Sequence, residues 1–543
     1  MGETTVIYPA RKIITMLAAR PQATHVAVRG GRILGVGDLD DLTGWGDYEI
    51  DDRFADKVIL PGFVEGHSHT LEGVLWQYTY VGFFDRTGPD GHHWPGAKSI
   101  DEVVARLREV DTGSGPVVGW GFDPIYFTGR RMNKDDLDKV ATDRSVLVLH
   151  ASGHLLNVNS AVLNAAGVTA DTDVHGVFKG PDGEPTGEMQ EFAALYMAFE
   201  ASGANIYNQI GGESSLHNFG RVCHLAGVTT ATDLYARLTP ETTAALLRVV
   251  PDPSFPIRVV PAYGALADTP ENGAALVKSL MDKSSAKLRF GLVKMMTDGS
   301  IQGFTARIKW PGYYNGAPNG LWNAPPEELV RAFNVFHDAG LQVHMHTNGN
   351  EASELMLDTI ADTLARNPRP DHRHTLQHAQ MMDEALLRRA KALGVAVNMF
   401  ANHLYYWGEQ HLALTLGPER AHRMEPFATA QRLGVPYAMH SDAPVTPVAP
   451  LFTAWCAVER RTAEGRVLGE AEKISVADAL RAITLGAAYT LKMDHEVGSI
   501  ETGKRADFAI LEQDPLAVPS AELKDIPIWG TVLGGIVQPL HAE

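Results

Sequence analysis

Val58-Ile59-Leu60-Pro61-Gly62-Phe63-Val64-Glu65-Gly66-His67-Ser68-His69 is an apolar run that turns polar at its end. A short, β-branched apolar segment reads as a buried strand. Two histidines at i and i+2 just past it lie on one side of an extended backbone, so both imidazoles can grip one cation. In a chain with 22 histidines such a pair carries weight only if the rest of the sequence supplies partners.

Working outward, strand-like apolar segments recur with helical stretches between them. After 58–64 come 226–234, 257–263, 288–294, 341–346, 374–378, 395–400 and 436–440, separated by amphipathic patterns such as 327–337 and 383–393. Eight strands alternating with helices are the arithmetic of a (β/α)8 TIM-type barrel, whose active site lies at the C-terminal strand ends. The stretch 76–215 far exceeds a crossover connection and has strand-like segments of its own at 117–120 and 146–149. At the chain ends, 5–7, 26–36, 48–52, 507–511 and 532–537 read as short strands with Gly-rich turns. The expected α/β organisation has three parts. A (β/α)8 barrel spans 58–75 plus 216–496, a substrate-covering subdomain is inserted over 76–215, and a composite β-sandwich is built from 1–57 plus 497–543.

Composition narrows the function. At 45% hydrophobic and 21% charged the 543 residues are globular, and 47 Lys+Arg against 65 Asp+Glu leave a net charge of −18. Without a basic cluster, neither nucleic acid nor an anionic membrane surface is an expected partner. Two cysteines, Cys223 and Cys456, exclude a disulfide framework and suit a reducing cytoplasm. The opening residues lack a signal-peptide pattern, and no apolar window is long enough for a transmembrane helix. A cytoplasmic enzyme acting on a small molecule is the expectation.

Ionisable residues fall on the expected rim. His67 and His69 follow the first strand, Lys294 ends the fourth, His346 the fifth, His378 the sixth, and Asp442 follows the eighth. Singly, each has a plainer reading: a histidine hydrogen-bonded in a loop, Asp442 as a helix cap, Lys294 paired with Asp298. Their conjunction at five of eight strand ends points to a metal centre. Neutral imidazoles suit zinc and related divalent ions. Six groups exceed one tetrahedral site, so either two ions bind or some groups stand behind the ligands. An ammonium cannot ligate; Lys294 would serve deprotonated or, better, carboxylated by CO2 into a bridging carboxylate. Two ions about 3.5–4 Å apart could then share a hydroxide nucleophile. Asp442 would take the water's proton and pass it to the leaving nitrogen.

These residues carry a family resemblance. Segments 60–69 (LPGFVEGHSH), 119–124 (GWGFDP), 152–160 (SGHLLNVNS), 183–191 (GEPTGEMQE), 293–299 (VKMMTDG), 441–445 (SDAPV) and 498–507 (GSIETGKRAD) resemble the amidohydrolase superfamily. The matching branch is amidohydrolase family 3, with YtcJ-like and N-substituted formamide deformylase-like members. The resemblance implies a metal-dependent hydrolase of an amide-type C–N bond, and a homodimer. It places His67 and His69 on one ion, His346 and His378 on a second, carboxylated Lys294 between them, and Asp442 as acid/base. It makes His154 a substrate contact. Three positions depart from the usual pattern: Gln377 before His378, Asn350 after His346, and His440 before Ser441-Asp442.

Aromatic residues at Trp120, Phe122, Tyr126 and Phe127, and again at Tyr405-Tyr406-Trp407, either pack the subdomain or line an apolar substrate pocket. Arg307 and Lys309 offer cations for a substrate carboxylate or for the surface. The leading expectation is cleavage of an N-acyl or N-formyl amide. The alternatives are hydrolysis of a cyclic amide, carbamate or ester, deamination, lyase or decarboxylase chemistry, and a metal-free scaffold role.

Overall fold

In a computed structural model of the chain, residues 4–541 are described apart from Thr128, His154, His175 and Asn205. They form two compact units. One comprises Met1–His69, Cys223–Asp442 and Val448–Glu543; the other comprises Thr70–Val222 and Ala443–Pro447.

The first unit contains eight parallel strands hydrogen-bonded in chain order: β1 (Phe63–Glu65), β2 (Val228–Ala236), β3 (Arg258–Gly264), β4 (Leu292–Met296), β5 (Gln342–Thr347), β6 (Thr375–His378), β7 (Ala396–Met399) and β8 (Tyr437–Met439). Each is buried along nearly all its length, as expected of parallel strands covered on both faces. Helices between them follow from capping and pattern. Asp383 accepts from the Leu386 N–H to start Glu384–Leu393, and Gly394 in the left-handed region ends it. Helix Pro326–Asp338 buries Leu329, Ala332, Phe333 and Phe336, one face of a 3.6-residue period. Each such phenylalanine contributes about 1.5–3 kcal/mol by burial.

The ladder runs from β1 to β8 but does not pair those two edges. Polar contacts join them at the C-terminal rim instead. The Asp442 N–H donates to the His67 carbonyl at 3.0 Å. The Glu65 carboxylate accepts from the N–H groups of Ser441 at 3.1 Å and His67 at 3.3 Å.

All eight expected barrel strands are present, with two changes. The run 58–64 divides at Gly62: Val58–Pro61 joins the sheet of the chain ends, and only Phe63–Glu65 enters the barrel. A Cβ on Gly62 would lie 2.1 Å from Thr229 Oγ1, so the chain passes too close to β2 for any side chain. The fourth strand begins at Leu292 rather than 288, after Gly291 at φ +129°. The chain ends do pair, through Val58–Pro61 against Phe508–Leu511, but their eight strands form one continuous hydrogen-bonded sheet.

The second unit holds a six-stranded sheet. Its strand Val117–Phe122 carries a bulge at Gly121 (φ +92°), which swings Phe122 to the face opposite Trp120. Among the described residues, no helix is long and apolar enough to cross a membrane.

Candidate metal centre

Five strand ends of the first unit deliver their polar groups to one place. His67 Nε2 lies 3.2 Å from Lys294 Nζ and 3.3 Å from Asp442 Oδ1, and His69 Nε2 lies 3.2 Å from the same oxygen. His346 Nδ1 and His378 Nε2 are 3.1 Å apart. Asp442 Oδ2 lies 3.8 Å from His378 Nδ1, which joins the two halves. Two sets have ligand atoms within 4.8 Å of one another: His67, His69 and Asp442, and His67, His378 and His440.

Burial sets the charge states. His67 and His378 are held well below the usual histidine range, first by burial and then by neighbouring cations, so both stay neutral, the form that ligates. Burial works the other way on Asp442, but the His69 hydrogen bond and the charges of His69, His440 and Lys294 outweigh it and bring the carboxyl to about 2. Burial lowers Lys294 to about 7 against the pull of Asp442. Among the described residues Lys294 makes no ion pair. Asp298 does not reach it and instead accepts from the backbone N–H groups of Arg307, Asn348 and Gly349 at 2.9–3.1 Å. A buried lysine with a free-base amine is what carboxylation by CO2 requires.

The donor set fits a cation. His346 Nε2 lies 3.1 Å from both the Gly299 carbonyl and the Asn348 side-chain NH2, and its Nδ1 faces His378. Following the imidazoles onward, His378 Nδ1 meets His440 Nε2 at 3.2 Å, and His440 Nδ1 is buried without a partner. This line of rings ends on a buried nitrogen with no protein partner, where a further ligand or proton would find a place. Backbone conformation is also committed to the site. His378 (φ +66°), Ala379 (φ +50°) and Asp442 (φ +55°) are left-handed without being glycine, costing roughly 1–2 kcal/mol each.

The six expected groups are thus brought together. His154 lies outside the described residues. Trp120 and Phe122, each 1% exposed, sit within the two apolar clusters of the second unit, and half-buried Tyr126 stacks on Phe83 at 5.0 Å. Tyr406 and Trp407 lie on helix Asn402–Gln410 after β7. Trp407 packs 5.6 Å from the His403 ring and 6.3 Å from Phe400, which itself stacks on His440 at 5.0 Å. Arg307 and Lys309 are engaged by Glu351 and Glu354.

Sequence reasoning missed the supporting layer: Glu65, pushed up to about 7 by burial, His344, and the His403–Glu425 pair, whose Nδ1 and Oε1 are 2.8 Å apart. A signal for two of these was available. Glu65 and His344 each stand two residues before a candidate ligand on the same strand side.

Comparison with known proteins agrees with this geometry. The profile of the amidohydrolase family matches residues 55–538. The chain is 27% identical over 543 residues to the putative amidohydrolase YtcJ of Bacillus subtilis, covering 96% of this chain and 97% of that one. It is 25% identical over 547 residues to the N-substituted formamide deformylase of Arthrobacter pascens, covering 96% of each. Among solved structures, an uncharacterized metal-dependent hydrolase from Pyrococcus horikoshii superposes with a TM-score of 0.72 at 20% identity, over 95% of this chain and 99% of that one. A match running from the first barrel strand's approach to the last strand of the terminal sheet places the whole barrel and its rim in one lineage: the chain belongs to the amidohydrolase family and is a hydrolase of carbon–nitrogen bonds.

Proposed function

We propose that this protein is a metal-dependent amidohydrolase that cleaves an N-acyl or N-formyl amide of a small molecule bearing an apolar or aromatic substituent, with zinc as its cation. The observation that carries the proposal is the convergence of His67, His69 and Asp442 beside the buried Lys294, which makes no ion pair among the described residues. The deformylase relative supports amide cleavage, and the aromatic packing of Phe400 and Trp407 beside His440 and His403 supports an apolar substituent.

His67, His69, His346, His378 and carboxylated Lys294 would hold the cation. A divalent ion there polarises the amide carbonyl and brings a water's pKa toward about 7. The rest falls to the chain's own groups. Asp442, kept ionised beside His69, accepts the proton of the attacking water and delivers it to the nitrogen as the C–N bond breaks. Acid and amine leave in equal amounts. Both cysteines are buried, and Cys456 is a free thiol, which supports a reducing, cytoplasmic setting.

The test is turnover of N-substituted formamides and N-acyl amines with aromatic groups by zinc-loaded protein in ¹⁸O-water. Equimolar acid and amine with one label in the acid is the expected result. An unlabelled product, or a fully loaded protein inert toward every amide, would overturn the proposal.

A further inference from the structure

Behind His67 runs a line of buried polar groups whose proton positions are fixed one after another. It starts at Thr490, the last residue of helix Ala487–Thr490, whose carbonyl can only accept. His344 Nε2 lies 3.0 Å from that oxygen and must carry its proton there, which leaves a lone pair on Nδ1. Gln377 Nε2 lies 2.7 Å from His344 Nδ1, so the amide turns its NH2 to His344 and its oxygen the other way. That oxygen, held also by Asn398 Nδ2 at 3.0 Å, lies 2.8 Å from His67 Nδ1. An acceptor at that distance puts the His67 proton on Nδ1. Nε2 is left bare, and it is the atom that faces Lys294 and Asp442. Every side chain in the line is at most 1% exposed, so no solvent can reset it.

We propose that Gln377 and His344 are positioning residues that, with the Thr490 carbonyl, pre-set the tautomer of His67 so that a lone pair already points at the cation position before any ion arrives. The inference rests on the metal-dependent reading above. A ligand histidine whose second nitrogen is held by a hydrogen-bond acceptor is fixed in ring orientation and made more basic. Here the acceptor is a neutral amide whose own direction is dictated two residues further back. Glutamine is the residue that can accept from His67 and donate to His344 at once. A methionine of similar length can do neither. A glutamate loses the donor toward His344 but keeps an acceptor toward His67, the contact that sets the tautomer.

The experiment titrates the metal-free protein with Co²⁺, read by the visible absorption of bound cobalt and by chelator competition. Gln377→Met and His344→Phe should each weaken cobalt binding by roughly 10–100-fold and change the band shape. His344→Phe is the more telling variant, because His344 belongs to neither set of converging ligand atoms and reaches His67 through the Gln377 amide. Gln377→Glu should recover most of the lost affinity. A structural control, His372→Phe at the far end of the barrel, should lower the unfolding midpoint and leave cobalt binding unchanged. If Gln377→Met and Gln377→Glu bind cobalt as wild type does, the tautomer is not set by this line and the inference falls. If wild type itself binds no cobalt, the metal-dependent reading fails instead. Should His344→Phe not fold, the Met and Glu pair at 377 still decides.

Discussion

The barrel carries two clusters of buried histidines at its opposite ends, and they obey different rules. At the N-terminal ends of β5 and β6, His337, His372 and His374 form a closed account of protons. His374 Nδ1 accepts from the Val343 N–H at 3.1 Å, so its Nε2 donates to His337 Nδ1 at 2.9 Å. His337 Nε2 then donates to the Asn367 carbonyl at 2.9 Å. His372 accepts from the His374 N–H and donates to the Leu393 carbonyl. Each of these six ring nitrogens has a partner and one defined role. At the C-terminal rim, by contrast, the rings of His346, His378 and His440 meet only one another in sequence, and the line ends on the unpartnered His440 Nδ1. The residue type is the same. Satisfaction of its nitrogens separates a structural histidine from a ligand.

The comparison breaks most visibly at the proton carrier. Asp442→Asn should lower turnover by about 10²–10⁴-fold while zinc content, measured by elemental analysis, is retained. Near-normal turnover would remove Asp442 from that role.

A crossed pair of substitutions comes next. His374→Leu strands the Val343 N–H and His337 Nδ1, which at about 1–3 kcal/mol for each unsatisfied group should cost about 2–6 kcal/mol of unfolding free energy. Its metal content per folded molecule should not change. His67→Leu should do the reverse: loss of metal, and about 1 kcal/mol or less from the metal-free fold, because Gln377 keeps Asn398. Urea unfolding and metal analysis on both variants check this, and equal behaviour of the two would erase the distinction.

Acidity gives the smallest effect. Burial first, then neighbouring charge, holds His374 well below its ordinary value of 6.5, so the native protein refuses a proton that the unfolded chain accepts. The sign follows from linkage: this stability is fully present above pH 6.5 and is lost as pH falls below it, at up to about 1.4 kcal/mol per pH unit. His67 and His378 add the same sign in metal-free protein. Unfolding midpoints measured on either side of that pH should show a shallower slope in His374→Leu than in wild type, and an identical slope would rule out the titrating role.

Much of this was legible in the chain. Strand ends could be counted because parallel strands are apolar along their length, and the six rim groups stood where those runs stopped. The break at Gly62 was not legible, since it depends on Thr229 from the next strand. Nor was the direction of Gln377, which is fixed by a helix-end carbonyl more than a hundred residues away. In the sequence Gln377 is only a glutamine beside a histidine; its meaning lies in three partners that no spacing predicts. Trp120 and Phe122 show the opposite limit. Their alternation is interrupted by one glycine bulge, so even which face each occupies needed coordinates.

The unpaired edges of β1 and β8 have a bearing on how the molecule is completed. His67 and His69 stand on one side of that seam and Asp442 on the other, so their meeting place does not exist until the last strand docks against the first. An ion held as proposed by these three groups would span the joint between the first strand and the last. The same three groups then tie the site's assembly to closure of the strand order, because Asp442 reaches His67 and His69 only across that seam.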